Sequence, residues 1–97
     1  MKVFISQKMG GKLSEEIEEA RGRATKEIKA MFGEDIEIID TFFKDSGRPP
    51  IELLGESIKL MSDADLVVFI YDWHNGRGCL IEHEVAELYG KRIMELK

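Results

Sequence analysis

Ala64-Asp65-Leu66-Val67-Val68-Phe69-Ile70-Tyr71 is the most hydrophobic run in the chain, and Arg77-Gly78-Cys79-Leu80-Ile81-Glu82-His83-Glu84-Val85-Ala86 follows it after a short polar loop. A run this rich in β-branched residues reads as a strand buried on both faces, the pattern of a parallel sheet. The loop from Asp72 to Arg77, followed by a helix from about Gly78 to Tyr89, puts the next carboxylates at the strand's carboxyl end. Open α/β sheets bind their ligands at that end.

Upstream, Val3-Phe4-Ile5-Ser6 forms a first strand that runs into Gln7-Lys8-Met9-Gly10-Gly11-Lys12, where a glycine pair lets backbone come close to a ligand. Ser14 offers an N-cap, and Ile17, Ala20, Ala24, Ile28 and Met31 recur at helical spacing until Gly33 ends the run. Ile36 to Asp40 reads as a second strand, and Thr41 to Pro50, with two phenylalanines, a glycine and two prolines, as a long loop. Ile51, Leu54, Ile58 and Met61 mark a second helix. After the third helix Gly90 supplies a stop, and Arg92-Ile93-Met94 adds a last short strand.

The order β-α-β-α-β-α-β predicts a small doubly wound parallel α/β sheet of the flavodoxin-like type, with about four strands and three helices. A central first strand, flanked by the second and third, opens a crevice between strands one and three. Both the Gln7–Lys12 loop and the Asp72–Arg77 loop border it.

The chain has 97 residues, 43% of them hydrophobic, enough for one domain with one core and too few for two. A net charge of −5 argues against nucleic acid or a membrane surface as partner, because both are bound by clustered Lys and Arg. The densest basic cluster, Arg21-Gly22-Arg23, lies beside Glu15, Glu16, Glu18 and Glu19 and reads as a solvated helix face. A single cysteine, Cys79, excludes an intrachain disulfide, and neither a leader nor an apolar run of ~18 residues is present, so the expected location is the cytoplasm.

Glu82 and Glu84 diverge by about 200° around the third helix, so only one faces the crevice; spacing alone leaves open which. The helix dipole would favour the ionised form of such an acid, suiting a nucleophile better than a proton donor, although acids at a helix start are ordinary surface features. Cys79, His83 and His74 can be drawn together as metal ligands or as a thiol with a base. With no Cys-x-x-Cys pair and no His-Glu-x-x-His, the expectation is no metal, and Cys79 reads as a small core residue. Gly10-Gly11 lacks the rest of a dinucleotide or P-loop fingerprint, so no nucleotide cofactor is expected. Asp72-Trp73-His74-Asn75 offers an aromatic and polar groups for a flat ligand, while Trp73 serves equally as a lid over the core. Phe42 and Phe43 can line the same pocket or pack beneath it.

On Val3 to Ser6 with Met9-Gly10-Gly11, on Leu60 to Val68, and on Gly78 to Ala86 followed by Tyr89 to Ile93, the chain resembles the nucleoside 2-deoxyribosyltransferase-like family, particularly a short phage and bacterial subgroup. The resemblance spans essentially the whole chain, and its third stretch is the most specific. It implies a glutamate nucleophile four residues after a glycine and four before an alanine, which selects Gly78, Glu82 and Ala86. It therefore implies cleavage or transfer of the N-glycosidic bond of a (deoxy)nucleoside or nucleotide through a glycosyl-enzyme intermediate with net retention. Active members carry an aspartate where this chain has Ser57, and serine cannot replace a carboxylate acid or base. Asp72 is the candidate substitute. The expected site thus comprises Glu82 and Asp72 as catalytic residues, with Ser6, Gln7, Met9, Gly10, Gly11, Ser57, Trp73 and Gly78 around the substrate. The alternative is a binding module that keeps the crevice without the chemistry. The resemblance also implies pockets completed across a homodimer, as a domain this small would gain apolar burial by pairing.

Overall fold

The computed structural model describes residues 1–41 and 47–97. Strands β1 (Lys2–Ser6), β2 (Glu37–Ile39), β3 (Leu66–Phe69) and β4 (Ile93–Glu95) alternate with helices α1 (Ser14–Phe32), α2 (Pro50–Met61) and α3 (Arg77–Leu88), and a 3-10 turn (Trp73–Asn75) precedes α3. The sheet order is β2-β1-β3-β4 with every pair parallel. This is the expected flavodoxin-like arrangement, with β1 and β3 at its centre.

All four residues of β3 are buried, as are Val3 to Ser6 of β1. Period-2 alternation divides their side chains between two cores. Val3, Ile5, Leu66, Val68 and Ile70 pack with Ala24 and Ile28 of α1. Phe4, Val67 and Phe69 pack on the other face with Met61 of α2 and Ala86 of α3. The first positions of β1 and β3 are tied together by Asp65, whose carboxylate accepts the Lys2 N–H at 2.7 Å and whose own N–H donates to Lys2 O at 2.8 Å. No helix among the described residues is long and apolar enough to cross a membrane.

Several details differ from the sequence reading. Ser14 is the first helical residue, not the cap; the Glu16 carboxylate instead accepts the Leu13 N–H at 2.9 Å, satisfying one of the free amides at the helix start. The buried stripe of α1 holds Ile17, Ala24 and Ile28, while Met31 is exposed. Arg21 falls in phase with that stripe, four residues after Ile17, and is partly buried, so the Arg21-Gly22-Arg23 cluster is not a uniformly solvated face. On α2, Ile51 is 80% exposed, and the inward positions are Ser57 and Met61. Phe42 and Phe43 lie outside the described residues.

Candidate active site

A cavity of about 580 Å³ opens at the carboxyl ends of β1 and β3, within the size range of small-molecule sites. The crevice expected from the strand order is therefore present. The Ser6–Gly10 segment forms one wall, the Asn75–Cys79 segment a second, and Pro50, Leu53, Leu54 and Ser57 of α2 a third.

Glu82 borders this cavity and is 7% exposed, whereas Glu84 points to solvent. Spacing left the two glutamates open; burial of one face of α3 decides between them. Ser6, the last residue of β1, donates its hydroxyl to Glu82 Oε1 at 2.7 Å. Burial pushes the Glu82 carboxyl up from 4.5 to about 7, and the Ser6 hydrogen bond and the positive charge of Arg21 only partly oppose it. A dipole-stabilised carboxylate was expected, but Glu82 is the sixth residue of α3, and the dipole's influence fades beyond the first turn. Among the described residues Glu82 is the only carboxylate lining the cavity.

Cys79, one turn earlier, also lines the cavity. Burial raises its thiol to about 11, so it is protonated and weakly nucleophilic at neutral pH. Gly76, just before α3, is fixed by crowding: a Cβ there would stand 3.1 Å from Cys79 Sγ and 3.3 Å from Lys8 Cβ. At Gly78 a Cβ would meet, among the described residues, Leu54 Cδ1 at 3.7 Å, an ordinary van der Waals contact.

Of the residues expected around a substrate, Ser6, Gln7, Met9, Gly10, Ser57 and Gly78 border the cavity. Gly11 does not; its φ of +78° shapes the turn in which Lys12 N–H donates to Met9 O. Gln7 reaches the wall, but its amide turns toward α1, with Nε2 donating to Ile17 O at 3.1 Å and Oε1 accepting from Arg21 Nε at 2.7 Å. Asp72 is not brought into the cavity wall. It pairs with Lys12, whose ammonium it holds in the charged form, and so ties the two loops together. Trp73 also lies off the cavity. It packs against Phe69 and stacks on the His83 ring, 4.1 Å between centroids with planes 4° apart, while His83 meets Glu87 and Glu95 at 3.2 and 3.1 Å. The cysteine and the histidine are thus used separately, and no group of three candidate metal ligands is found among the described residues.

The residue that sequence reasoning missed is Arg21. Its Nη2 donates to Thr41 Oγ1 at 2.8 Å and to Ile5 O at 3.2 Å, and Nε holds Gln7, so one guanidinium ties the end of β1 to Thr41 behind the cavity. The available signal was its phase on α1. Compared with known proteins, the chain matches no family model, no curated protein and no solved structure. The functional reading rests on the geometry of the site together with the sequence resemblance.

Proposed function

We propose that the cavity cleaves or transfers the N-glycosidic bond of a (deoxy)nucleoside or nucleotide, with Glu82 as nucleophile. The observation that carries this reading is the one carboxylate that lines the cavity among the described residues, buried and oriented by Ser6 between the β1 and β3 loops. A Glu82 oxygen bonds to the anomeric carbon as the carbon–nitrogen bond breaks, and the base leaves with the electron pair and takes a proton from water. Water or a second base then attacks the same carbon and gives up its proton to the hydroxide left by the first step, while the ester bond breaks and the carboxylate returns, giving net retention. The nucleophile must be ionised, so the rate should rise as pH passes through about 7. Incubation with a panel of deoxynucleosides and their 5′-monophosphates, followed by chromatography for free base, tests the proposal. Release by the wild type and its loss in Glu82→Ala are expected. No release from any substrate would refute it.

A second reading, a binding module without turnover, is favoured by one observation: no other described carboxylate reaches the cavity, with Ser57 in its wall and Asp72 paired to Lys12. Thermal unfolding with the same panel separates the two, since a ligand at ~100 times its Kd stabilises by ~2.7 kcal/mol whether or not it reacts. A homodimer belongs to the proposal as well. Leu80, Ile81 and Leu88 are exposed on the outer side of α3, the helix that carries Glu82, with Glu84 between them, and pairing would cover their apolar surface.

A further inference from the structure

Two loops, residues 7–13 and 71–76, frame the cavity beyond the ends of β1 and β3. They part after the Ile70 N–H, which donates to Ser6 O at 3.0 Å; among the described residues no further backbone hydrogen bond joins them. The one side-chain hydrogen bond between them, among the same residues, runs from the Lys12 ammonium to the Asp72 carboxylate. Lys12 closes a turn onto Met9 O, and Met9 and Gly10 line one side of the cavity. Asp72 opens the 3-10 turn, its carbonyl accepting the Asn75 N–H at 3.0 Å, and Asn75 and Gly76 line the facing side. The pair therefore joins the roots of both walls. The Asp72 side chain is 13% exposed and its Oδ1 is buried without a hydrogen bond among the described residues, so Lys12 is the one donor its carboxylate has there. Without that donor a carboxylate so placed must turn out to water, because a buried charge left alone is costly.

We propose that the Lys12–Asp72 pair is a latch for the cavity: closed, it holds Met9 and Gly10 against Asn75 and Gly76, and its release lets the two walls part and admits a ligand. The latch concerns entry and holds whatever reaction follows. Strands β1 and β3 are fixed by their parallel ladder, so opening is confined to the loops beyond Ser6 and Ile70, where cross-links are few. Lys12 is the moving partner's hold on the other loop twice over, since its Nζ also stands 6.0 Å from the Tyr71 ring centroid. The other close approach is packing alone: Lys8 Cβ lies near Gly76, where an added Cβ would stand 3.3 Å away. One methylene contact is weak beside a charge-assisted hydrogen bond.

Cys79 reports on the latch. It is the only cysteine, it is 3% exposed in the cavity wall, and its Sγ lies behind Gly76, where an added Cβ would come within 3.1 Å. The test measures, by mass spectrometry of the full chain, how fast the small uncharged reagent methyl methanethiosulfonate labels this thiol. Lys12→Met, which keeps the stem and removes the charge, should label roughly five- to tenfold faster, and Lys12→Arg should stay near the wild type. Asp72→Asn should also label faster, and the double variant no faster than the quicker single one. Charge alone gives a different pattern. Burial first, and the Asp72 charge among lesser causes, keeps the thiol protonated, so losing Asp72 favours the thiolate whereas losing Lys12 does not. The Lys12→Met rate therefore decides, and an unchanged rate in the folded variant would overturn the proposal. Equal acceleration by Ile28→Val, a core change far from the loops, would overturn it too, since labelling would then follow overall stability. Should Lys12→Met not fold, the wild type carries the test: at ~1 M salt the Debye length falls to ~3 Å, and labelling should quicken. A rate independent of salt would overturn the latch. No substrate is present, so absence of turnover would remove the glycosidic reading alone, and absence of opening would remove only the latch.

Discussion

Replacing Glu82 with Gln should make the protein more stable at alkaline pH. In the folded chain the Glu82 carboxyl titrates at about 7, against an ordinary value of 4.5. Between those values the folded state holds a proton that the unfolded state has released, so stability falls as pH rises. The Glu82 contribution is fully present below about 4.5 and lost once pH has passed through about 7. At about 1.4 kcal/mol per pH unit, the total loss is roughly 3 kcal/mol. Glutamine has nearly the same shape, can accept the Ser6 hydroxyl, and does not titrate; any constant cost of its NH₂ group cancels between two pH values. Urea unfolding followed by far-UV circular dichroism at pH 5 and pH 8 measures the difference. The gap between Glu82→Gln and the wild type should grow in favour of the variant by about 2–3 kcal/mol from pH 5 to pH 8. A gap equal at both pH values would refute the claim that Glu82 is buried at a cost. A gain in stability on removing a working residue would fit a site that retains a strained charge for function.

Ser6→Ala removes the donor that favours the ionised form, so it should lower stability at pH 8 by about 1–2 kcal/mol more than at pH 5, measured in the same urea series. Gly76→Ala should destabilise by about 1–3 kcal/mol, because its Cβ must displace Cys79 or Lys8. A melting temperature several degrees lower would report this. Light scattering at micromolar concentration should give twice the chain mass, and Leu88→Asp, placing a charge on the outer side of α3, should halve it; a wild-type monomer would remove the dimer.

The β-branched run over Leu66–Phe69 and the shorter one in β1 made the sheet legible, because strands buried on both faces leave few other choices. The crevice then followed from strand order. Spacing could not separate Glu82 from Glu84; the family resemblance pointed to Glu82, and burial of one face of α3 selects the same side chain. Arg21 was hidden because charged neighbours were weighed by composition rather than by phase; its position four residues after Ile17 turns it inward. Asp72 and Trp73 could not be placed from sequence because loop side chains are aimed by distant partners, here Lys12 and His83, far apart along the chain. The protonation of Glu82 was illegible for a similar reason. Depth of burial belongs to the assembled fold, and it outweighs the helix dipole that local sequence suggested.

Acid quenching of the protein during incubation with a deoxynucleoside or its 5′-monophosphate, followed by peptide mass spectrometry, tests the central claim most directly. The account predicts a pentosyl adduct on the peptide containing Glu82, formed as free base appears and absent from Glu82→Gln. Base release by Glu82→Gln at the wild-type rate, with Glu82 unmodified in the wild type, would contradict it.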